Sequence, residues 1–310
     1  MGGLLSVSAA FAPGAAVNRQ AAALWEMLRA VNAGEAAAYA RVYAEDAVIT
    51  IHGTGVLSGR GAIEAHEVEL LREFPGTQLA FYDFWQDGLA VVVHYGVNGR
   101  TPGGQAMGHE GLLFYRFDSA GLVKEERRYL DSATPMAQLG LLGAAPARPL
   151  PMLRTLPGTM QAHIKGTSPR EEANAALVRT TFGALDARDE AGFLAGIAEN
   201  GVLDDLSETS PSAGKTNVKG WFDRWTRAAA GARTEITTLA AIGEDVLVET
   251  IVRGRLQAPL GRLTPSDRPF ALHRAAIVQM KDDRIAHLAV FMNTKELAQA
   301  VRQWPPSAPQ

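Results

Sequence analysis

Two stretches of the sequence follow the same pattern, EERRYLDSATPMAQLGLL (residues 125–142) and LAVFMNTKELAQAV (residues 288–301). Each runs from an apolar strand into a helical segment, and the residue at the turn is Asp131 in the first and Asn293 in the second. A long pattern that occurs twice in one chain indicates a duplicated domain. The copies differ at a residue that matters chemically, because a carboxylate exchanges protons and an amide does not.

The elements upstream of these stretches also occur twice and in the same order. In the first half, the spacing of apolar residues predicts helices over 18–35 and 59–75, with a short helical turn and a strand between them. Four segments of period two follow and are predicted to be strands. The second half repeats this order, and three pairs of residues align at one offset (214 − 59 = 155): Gly59 with Gly214, Gly99 with Gly254 and His94 with Glu249.

The fold class predicted from this order is α+β. Each copy is expected to be a curved antiparallel sheet folded over about three helices, with a pocket between the concave face and the first helix. The predicted organisation is a flexible leader (1–17), a first domain (18–142), a Pro-rich linker (143–170), a second domain (171–302) and a disordered tail (303–310).

Composition excludes several classes of function. The 310 residues carry a formal net charge of −3, which gives no electrostatic basis for binding nucleic acid or an anionic membrane. No run of about 18 uncharged apolar residues occurs, so no membrane span is expected. The chain has no cysteine, which excludes disulfides and a thiol nucleophile and fits a reducing, cytoplasmic compartment.

The first copy resembles a known family. The segment AGLVKEERRYLDSATPMAQLGLL (120–142) is similar to the closing segment of SnoaL-like proteins, a group within the nuclear-transport-factor-2-like superfamily. The segment GGQAMGHEGLLFYRF (103–117) resembles the penultimate strand of that family, in which a His faces the pocket. The resemblance covers 18–142 well and 171–302 more loosely, with His273 in the place of His109.

This resemblance implies tandem conical α+β barrels and cofactor-free proton-transfer chemistry. Enzymes with this fold cyclise polyketides, isomerise ketosteroids or open epoxides, so the resemblance implies an apolar substrate that carries a carbonyl or an epoxide. No cofactor and no metal is expected, since the seven histidines are scattered along the chain.

Asp131 and His109 are the catalytic candidates of the first copy. If the strands 107–117 and 122–131 pair as a hairpin, His109 faces Asp131 at the mouth of the pocket. Burial would raise the pKa of the Asp131 carboxyl and suit it to take a proton alpha to a carbonyl, while His109 holds the enolate oxygen. The alternative is that Asp131 caps the following helix.

Other residues of the first copy are candidates for binding the substrate. His52 ends the strand AVITIH and is either functional or a hydrogen-bonded residue of the rim. Trp85 lines the apolar pocket or belongs to the core. The remaining candidates, which we expect on the same faces as the catalytic pair, are Tyr115 and Tyr129.

The second copy carries its acids elsewhere. Asp205, Glu235 and Glu249 lie on three different strands, and such acids could open an epoxide, one protonating the oxygen and another activating the nucleophile. The alternative for Glu249 is an ion pair with Arg253 or Arg274 on the outside of the sheet. His273 and Asn293 complete the expected second pocket.

Two hypotheses of function follow. In the first, the chain is an enzyme that cyclises, isomerises or opens a small apolar substrate. In the second, it is a binding module that holds a ligand without turning it over, which Asn293 favours for the second copy. In either case we expect the copies to pair within the chain or between two chains of a homodimer.

Overall fold

The computed structural model describes residues 17–143, 146–153 and 161–304. Contacts divide the chain into two compact units, unit 1 (Met1–Leu130, Thr134–Leu141 and Pro149–Ile164) and unit 2 (Asp131–Ala133, Leu142–Arg148 and Lys165–Gln310). Most of the predicted leader and tail, and part of the predicted linker, lie outside the described residues. None of the described helices combines the length and the apolar character needed to cross a membrane.

Unit 1 is a seven-stranded sheet with helices against its concave face. Its elements are α1 (Val17–Ala33), α2 (Ala36–Ala40), β1 (Tyr43–Ile51), β2 (Gly55–Ser58), α3 (Arg60–Glu73), β3 (Gln78–Asp87), β4 (Ala90–Arg100), β5 (Ala106–Phe117), β6 (Val123–Leu130), α4 (Ala133–Gln138) and β7 (Gln161–Ile164). The strand order is β2-β1-β6-β5-β4-β3-β7. Helix α1 buries one apolar stripe, including Leu24, Met27 and Val31, as its 3.6-residue period requires.

Unit 2 repeats this arrangement with six strands. Its elements are α5 (Pro169–Ala187), α6 (Glu190–Gly196), β8 (Ile197–Asp205), β9 (Ser212–Ala213), α7 (Lys215–Ala228), β10 (Arg233–Ile242), β11 (Asp245–Leu256), β12 (Ser266–Lys281), β13 (Arg284–Met292) and α8 (Thr294–Ala300). The strand order is β10-β11-β12-β13-β8-β9. A capping box of Ser168 and Glu171 begins α5, with Pro169 in its first turn.

The predicted α+β class and the duplication are confirmed. Gly59 and Gly214, which the sequence aligned, begin α3 and α7 with φ of +85° and +77°, a conformation that favours glycine. The sheets differ from the expectation in one respect, since β1 lies parallel to β6 and β8 lies parallel to β13. The segment predicted as linker also contributes β7, which adds a parallel strand beside β3.

Candidate active site

The interior of unit 1 contains a buried ion pair on β6. Glu126 and Arg128 lie opposite Tyr115 and Leu113 on β5, and residues that pair across strands share a face of the sheet. Leu113 and Tyr115 belong to the apolar core of unit 1, so both charged side chains point to the concave face. The Nε of Arg128 donates to Glu126 Oε1 over 2.6 Å, and Glu126 is only 1% exposed.

Two tyrosines from neighbouring elements extend this pair into a network. Tyr43 on β1 donates to Glu126 Oε2 over 2.5 Å, and its hydroxyl lies 2.7 Å from that of Tyr39 on α2. Arg128 in turn donates to the Tyr39 hydroxyl over 2.7 Å. Burial raises the pKa of both phenols, so they stay protonated and act as hydrogen-bond donors.

A second carboxyl group faces the same network from α3. Glu67 is 6% exposed, and burial raises the pKa of its carboxyl group. The positive charge of Arg128 lowers this pKa, and the negative charge of Glu126 raises it. The interior of unit 1 therefore holds two carboxyl groups in unequal surroundings. Glu126 accepts hydrogen bonds from a phenol and a guanidinium, whereas burial favours the protonated form of Glu67.

His109 lies farther along β5 and on the same concave face. Its Nε2 is 3.1 Å from the Tyr95 hydroxyl, and its Nδ1 is buried without a hydrogen-bond partner among the described residues. Burial lowers the pKa of the imidazole to about 4, so the ring is neutral at pH 7. A neutral imidazole can donate or accept a hydrogen bond at Nδ1, depending on its tautomer.

The predicted pairing of His109 with Asp131 is wrong in register. Next to the turn, Phe117 pairs with Val123, and this register continued along the strands would place His109 opposite Asp131. A bulge between Arg116 and Phe117 shifts the pairing by one residue. A shift of one residue exchanges the two faces of a strand, so Glu126 and Arg128 take the concave face.

Asp131 makes the contacts of a cap. Its Oδ1 accepts hydrogen bonds from Thr294 N (3.0 Å), Thr294 Oγ1 (2.6 Å) and Ala133 N (3.3 Å), and the residue is 5% exposed. These donors belong to the first turns of α8 and α4. The contacts agree with the capping alternative for Asp131.

The expected substrate-binding residues are divided between the two faces of the sheet. Tyr115 lies in the concave core, where its hydroxyl is 3.3 Å from Met27 Sδ. Tyr129 lies on the convex face, because it pairs with Leu112, and it packs against His52 with ring centroids 4.7 Å apart. Trp85 stacks on His163 at 5.5 Å, outside the core cluster. The expectation that Tyr129 shares a face with Tyr115 is therefore wrong.

The convex face of unit 1 also carries a cluster of ionisable groups. Asp83, His94 and Glu110 meet there: His94 Nε2 is 3.1 Å from Glu110 Oε2, and its Nδ1 is 3.9 Å from Asp83 Oδ2. Burial disfavours the charged forms of His94 and Asp83. The interactions with Asp83 and Glu110 nevertheless raise the pKa of His94, and the interactions with His163 and His94 lower the pKa of Asp83.

In unit 2 the interior carries different polar groups. Strand β8 pairs Leu203 with Leu288 and Asp205 with Val290, whereas β1 pairs Ile49 with Glu126. Leu288 and Val290 thus stand where unit 1 has Glu126 and Arg128, and Asp205 occupies the place of Ile51. Asp205 is 3% exposed and accepts hydrogen bonds from Trp221 Nε1 (3.1 Å) and Ser207 Oγ (2.7 Å).

The other acids predicted for the second pocket do not join Asp205. Glu235 is exposed and pairs with Arg253 at 2.5 Å. Glu249 is buried, but its neighbours Val248 and Thr250 line the interior cavity, so in an alternating strand Glu249 lies on the convex face. Of the two arginines expected beside Glu249, Arg253 pairs with Glu235 and Arg274 faces the interior.

His273 and Asn293 serve the N-terminus of α8. His273 Nδ1 is 2.6 Å from Glu296 Oε1, and Glu296 Oε2 accepts a hydrogen bond from the backbone N of His273. Asn293 is the N-cap of α8, and its Oδ1 accepts hydrogen bonds from Lys295 N and Ser132 N. Asn293 and His273 therefore hold the first turn of α8 in place.

Sequence analysis overlooked Glu126, Arg128 and Glu67. The sequence did contain a signal for Glu126 and Arg128. In KEERRY both the odd-numbered and the even-numbered positions carry charged residues, and in a strand one of these two sets must face the core. Glu67 shares the buried face of α3 with Ile63, one turn away, and this spacing marks it as inward-facing.

Comparison with known proteins agrees with the fold. The family model of the SnoaL-like domain matches residues 24–126 and 178–288. No match to the sequence was found among curated proteins.

Similar solved structures are distant from this chain. A protein of Jannaschia sp. CCS1 named as a SnoaL-like polyketide cyclase has 15% identity and a TM-score of 0.42, covering 47% of this chain and 99% of its own. An LEH-like epoxide hydrolase of M. tuberculosis has 16% identity and a TM-score of 0.36 and covers 44% and 93%. An M. tuberculosis protein in complex with estradiol-17beta-hemisuccinate has 18% identity and a TM-score of 0.35 and covers 37% and 95%.

Proposed function

The chain belongs to the SnoaL-like domain family, in two tandem copies, and we propose that it is a cofactor-independent acid–base enzyme. The proposed site is the interior of unit 1, and the substrate is a small apolar molecule that carries a carbonyl or an epoxide. The observation that supports this most directly is the presence of two buried carboxyl groups, Glu126 and Glu67, with Arg128 as their common charged neighbour.

The chemistry follows from the unequal surroundings of the two carboxyl groups. Glu126, which accepts hydrogen bonds from Tyr43 and Arg128, acts as the base that takes a proton from the carbon alpha to a carbonyl or from a nucleophile. Glu67, whose pKa burial raises, acts as the acid that gives a proton to the carbonyl or epoxide oxygen. His109, neutral and with Nδ1 unpaired, can hold the oxygen on which charge develops. Asp131 is assigned to capping.

The test uses two general probe reactions. Exchange of the α-protons of an apolar ketone in D₂O is followed by NMR, and opening of an apolar epoxide in H₂¹⁸O is followed by mass spectrometry. We expect Glu126→Gln to lower turnover by about 10²–10⁴-fold, the usual contribution of a positioned base. Glu67→Gln should lower it as well, and Asp131→Asn should leave it largely unchanged.

Glu125 offers a matched control on the same strand. It is the neighbour of Glu126, it faces away from the interior, and it pairs with Arg116 at 2.5 Å. Glu125→Gln therefore removes a charge from β6 without touching the proposed site, and its turnover should equal that of the wild type. Turnover that survives Glu126→Gln would contradict the proposal, and loss in Asp131→Asn alone would move the site to Asp131.

The alternative function, a binding module, has support in unit 2. Its interior carries Leu288 and Val290 in place of the charged pair, so its closing strand presents no acid or base to a ligand at those positions. If both units only bind, a ligand carried through purification should keep its mass on incubation, and neither probe reaction should proceed.

The assembly of the chain is part of the same proposal. We propose pairing of the copies within one chain or between two chains, as is usual for duplicated or symmetric domains. Light scattering separates the two cases, because the chain alone has a mass of 33.1 kDa and a homodimer has twice that mass.

A further inference from the structure

The interior of unit 1 contains two neighbouring side chains, Tyr95 on β4 and His109 on β5, whose protons can be placed from their contacts. Val97 pairs with His109 and Tyr95 pairs with Gly111, so Tyr95 and His109 are diagonal neighbours on the concave face. A Cβ on Gly111 would lie 2.4–2.6 Å from atoms of Tyr95. Because Gly111 has no side chain, the ring of Tyr95 lies across it, and the Tyr95 hydroxyl is 3.1 Å from His109 Nε2.

The hydroxyl of Tyr95 is the donor in this contact. Tyr95 is 6% exposed, and burial raises the pKa of its phenol, so the phenol keeps its proton. Among the described residues, the hydroxyl has no hydrogen-bond partner other than His109 Nε2. A buried donor that makes no hydrogen bond is unfavourable. The hydroxyl therefore donates to Nε2, and an Nε2 that accepts carries no proton.

The proton of the neutral imidazole then lies on Nδ1. The pKa of His109 is lowered to about 4, so at pH 7 the ring carries one proton, and the hydrogen bond at one ring nitrogen decides the state of the other. The opposite tautomer would leave two groups unsatisfied, the Tyr95 hydroxyl as a donor and Nδ1 as an acceptor. The Nδ1–H tautomer leaves one, because only Nδ1 has no partner among the described residues.

Strand pairing shows that unit 2 has neither member of this pair at the matching positions. The two glycines that the sequence aligned on β4 and β11 fix the equivalent points of the strands. Counted from them, Thr250 takes the position of Tyr95, and Leu272 takes the position of His109. His273, which the resemblance placed there, is one residue away and lies on the other face of β12. The phenol and the imidazole thus occur together in the unit that carries the proposed acid and base.

We propose that Tyr95 is a positioning residue that holds His109 in the Nδ1–H tautomer. The interior of unit 1 then offers a fixed N–H donor, and the substrate group that it takes is an oxygen that only accepts hydrogen bonds, as in a ketone or an epoxide. The tautomer follows from the contacts of Tyr95, whereas the use of the donor on a substrate rests on the proposed function of unit 1.

This tautomer separates the role of His109 from those of the two carboxyl groups. A neutral Nδ1–H has no lone pair at that atom, so His109 holds the substrate oxygen and does not take a proton there. A donor that is oriented before the reaction stabilises the charge that develops on that oxygen. The same donor disfavours a substrate group that must itself donate, such as an ammonium, because two donors would then face each other.

The tautomer is measured by NMR on the ¹⁵N-labelled full chain near pH 7.5. Correlations between the carbon-bound ring protons and the ring nitrogens distinguish a protonated nitrogen from an unprotonated one. The chain has seven histidines, and the signals of His109 are those that are missing from the spectrum of His109→Gln. In the wild type we expect a protonated Nδ1 and an unprotonated Nε2.

Two tyrosine variants test the role of Tyr95. In Tyr95→Phe the Nε2 of His109 no longer accepts a hydrogen bond, so the ring should change to a mixture of both tautomers and both nitrogen signals should shift. Tyr115→Phe is the matched control, because Tyr115 is also a buried phenol of the concave core and its hydroxyl contacts Met27 Sδ at 3.3 Å. Its His109 signals should equal those of the wild type. If Tyr95→Phe does not fold, the wild-type spectrum still shows which atom carries the shared proton.

Turnover tests the use of the donor. His109→Leu introduces the residue that unit 2 carries, and it should lower the turnover number for α-proton exchange of the ketone by about 10²–10³-fold, the usual effect of removing one donor to a developing oxyanion. Tyr95→Phe should lower it less, because His109 remains and only its tautomer is released.

Three results would overturn the proposal. They are a protonated Nε2 in the wild type, His109 nitrogen signals that Tyr95→Phe leaves unchanged, and full turnover in His109→Leu. A wild type that shows the Nδ1–H tautomer but performs neither probe reaction would contradict the acid–base function and leave the role of Tyr95 supported, because the NMR measurement needs no turnover.

Discussion

His109 should make the folded protein less stable in mild acid. Burial lowers the pKa of its imidazole to about 4, from a usual value near 6.5. Above pH 6.5 the ring is neutral in both the folded and the unfolded chain, so it does not change stability with pH. Between pH 6.5 and 4 only the unfolded chain binds the proton, and the free energy of unfolding falls. The difference of about 2.5 pKa units corresponds to about 3 kcal/mol, since one unit is worth about 1.4 kcal/mol.

His109→Gln is the perturbation that isolates this effect. Glutamine is polar and can bond to the Tyr95 hydroxyl, but it does not titrate. The variant should therefore lose the part of the pH dependence that lies between pH 6.5 and 4, and the difference in unfolding free energy between wild type and variant should change by about 3 kcal/mol across that range. Tyr95→Phe is the control: it removes the hydrogen bond at Nε2 but leaves His109 buried, so the pH dependence should remain.

The assay is urea denaturation at several pH values between 4 and 8, evaluated as the difference between wild type and variant at each pH. Taking the difference removes the contribution of every other titrating group. Parallel curves for wild type and His109→Gln would contradict the prediction, because they would show that His109 takes up its proton equally well in the folded and the unfolded chain.

Three further predictions concern stability. Asp131→Ala should lower the free energy of unfolding by about 1–2 kcal/mol, because it removes the hydrogen-bond acceptor at two helix N-termini. Asp131→Asn should lower it less, because the amide keeps an acceptor. Thermal unfolding of both variants is the test, and equal losses of stability would contradict the capping role. Gly111→Ala should cost about 1–3 kcal/mol, since an added Cβ would lie 2.4–2.6 Å from atoms of the Tyr95 ring, and an unchanged melting temperature would contradict this. Asp83→Asn should destabilise the protein most between about pH 4 and 6.5. The lowered pKa of Asp83 contributes its full stability only above about pH 4, the usual pKa of an unfolded Asp. The raised pKa of His94 contributes its full stability only below about pH 6.5, the usual pKa of an unfolded His, and this contribution is lost as the pH rises through the folded pKa. Denaturation of that variant at pH 3, 5.5 and 9 is the test, and a pH-independent loss would argue against the ion pair.

The helices and strands could be predicted because their apolar residues recur with a clear period. The stripe of Leu24, Met27 and Val31 indicates a helix, and the apolar run of β11 indicates a strand, and neither depends on distant contacts. The faces of β6 could not be predicted, because a single bulge beside Phe117 decides which phase of KEERRY enters the core. No local pattern encodes such a bulge, and every side chain downstream of it changes face.

Asp131 and Asn293 have a simpler relation than a division between a catalytic and a silent copy. Asp131 accepts hydrogen bonds from Thr294, and Asn293 accepts one from Ser132, so each residue caps the segment that follows the other. The Nδ2 of Asn293 also donates to Ser132 Oγ over 3.0 Å, which a carboxylate could not do. Both residues are at least 95% buried, and two carboxylates in this small cluster would add a second buried negative charge. One acid and one amide satisfy the same set of donors with a single charge, so capping alone accounts for the difference between the copies. The difference that bears on chemistry lies three to five positions earlier, where Glu126 and Arg128 of unit 1 are replaced by Leu288 and Val290 of unit 2.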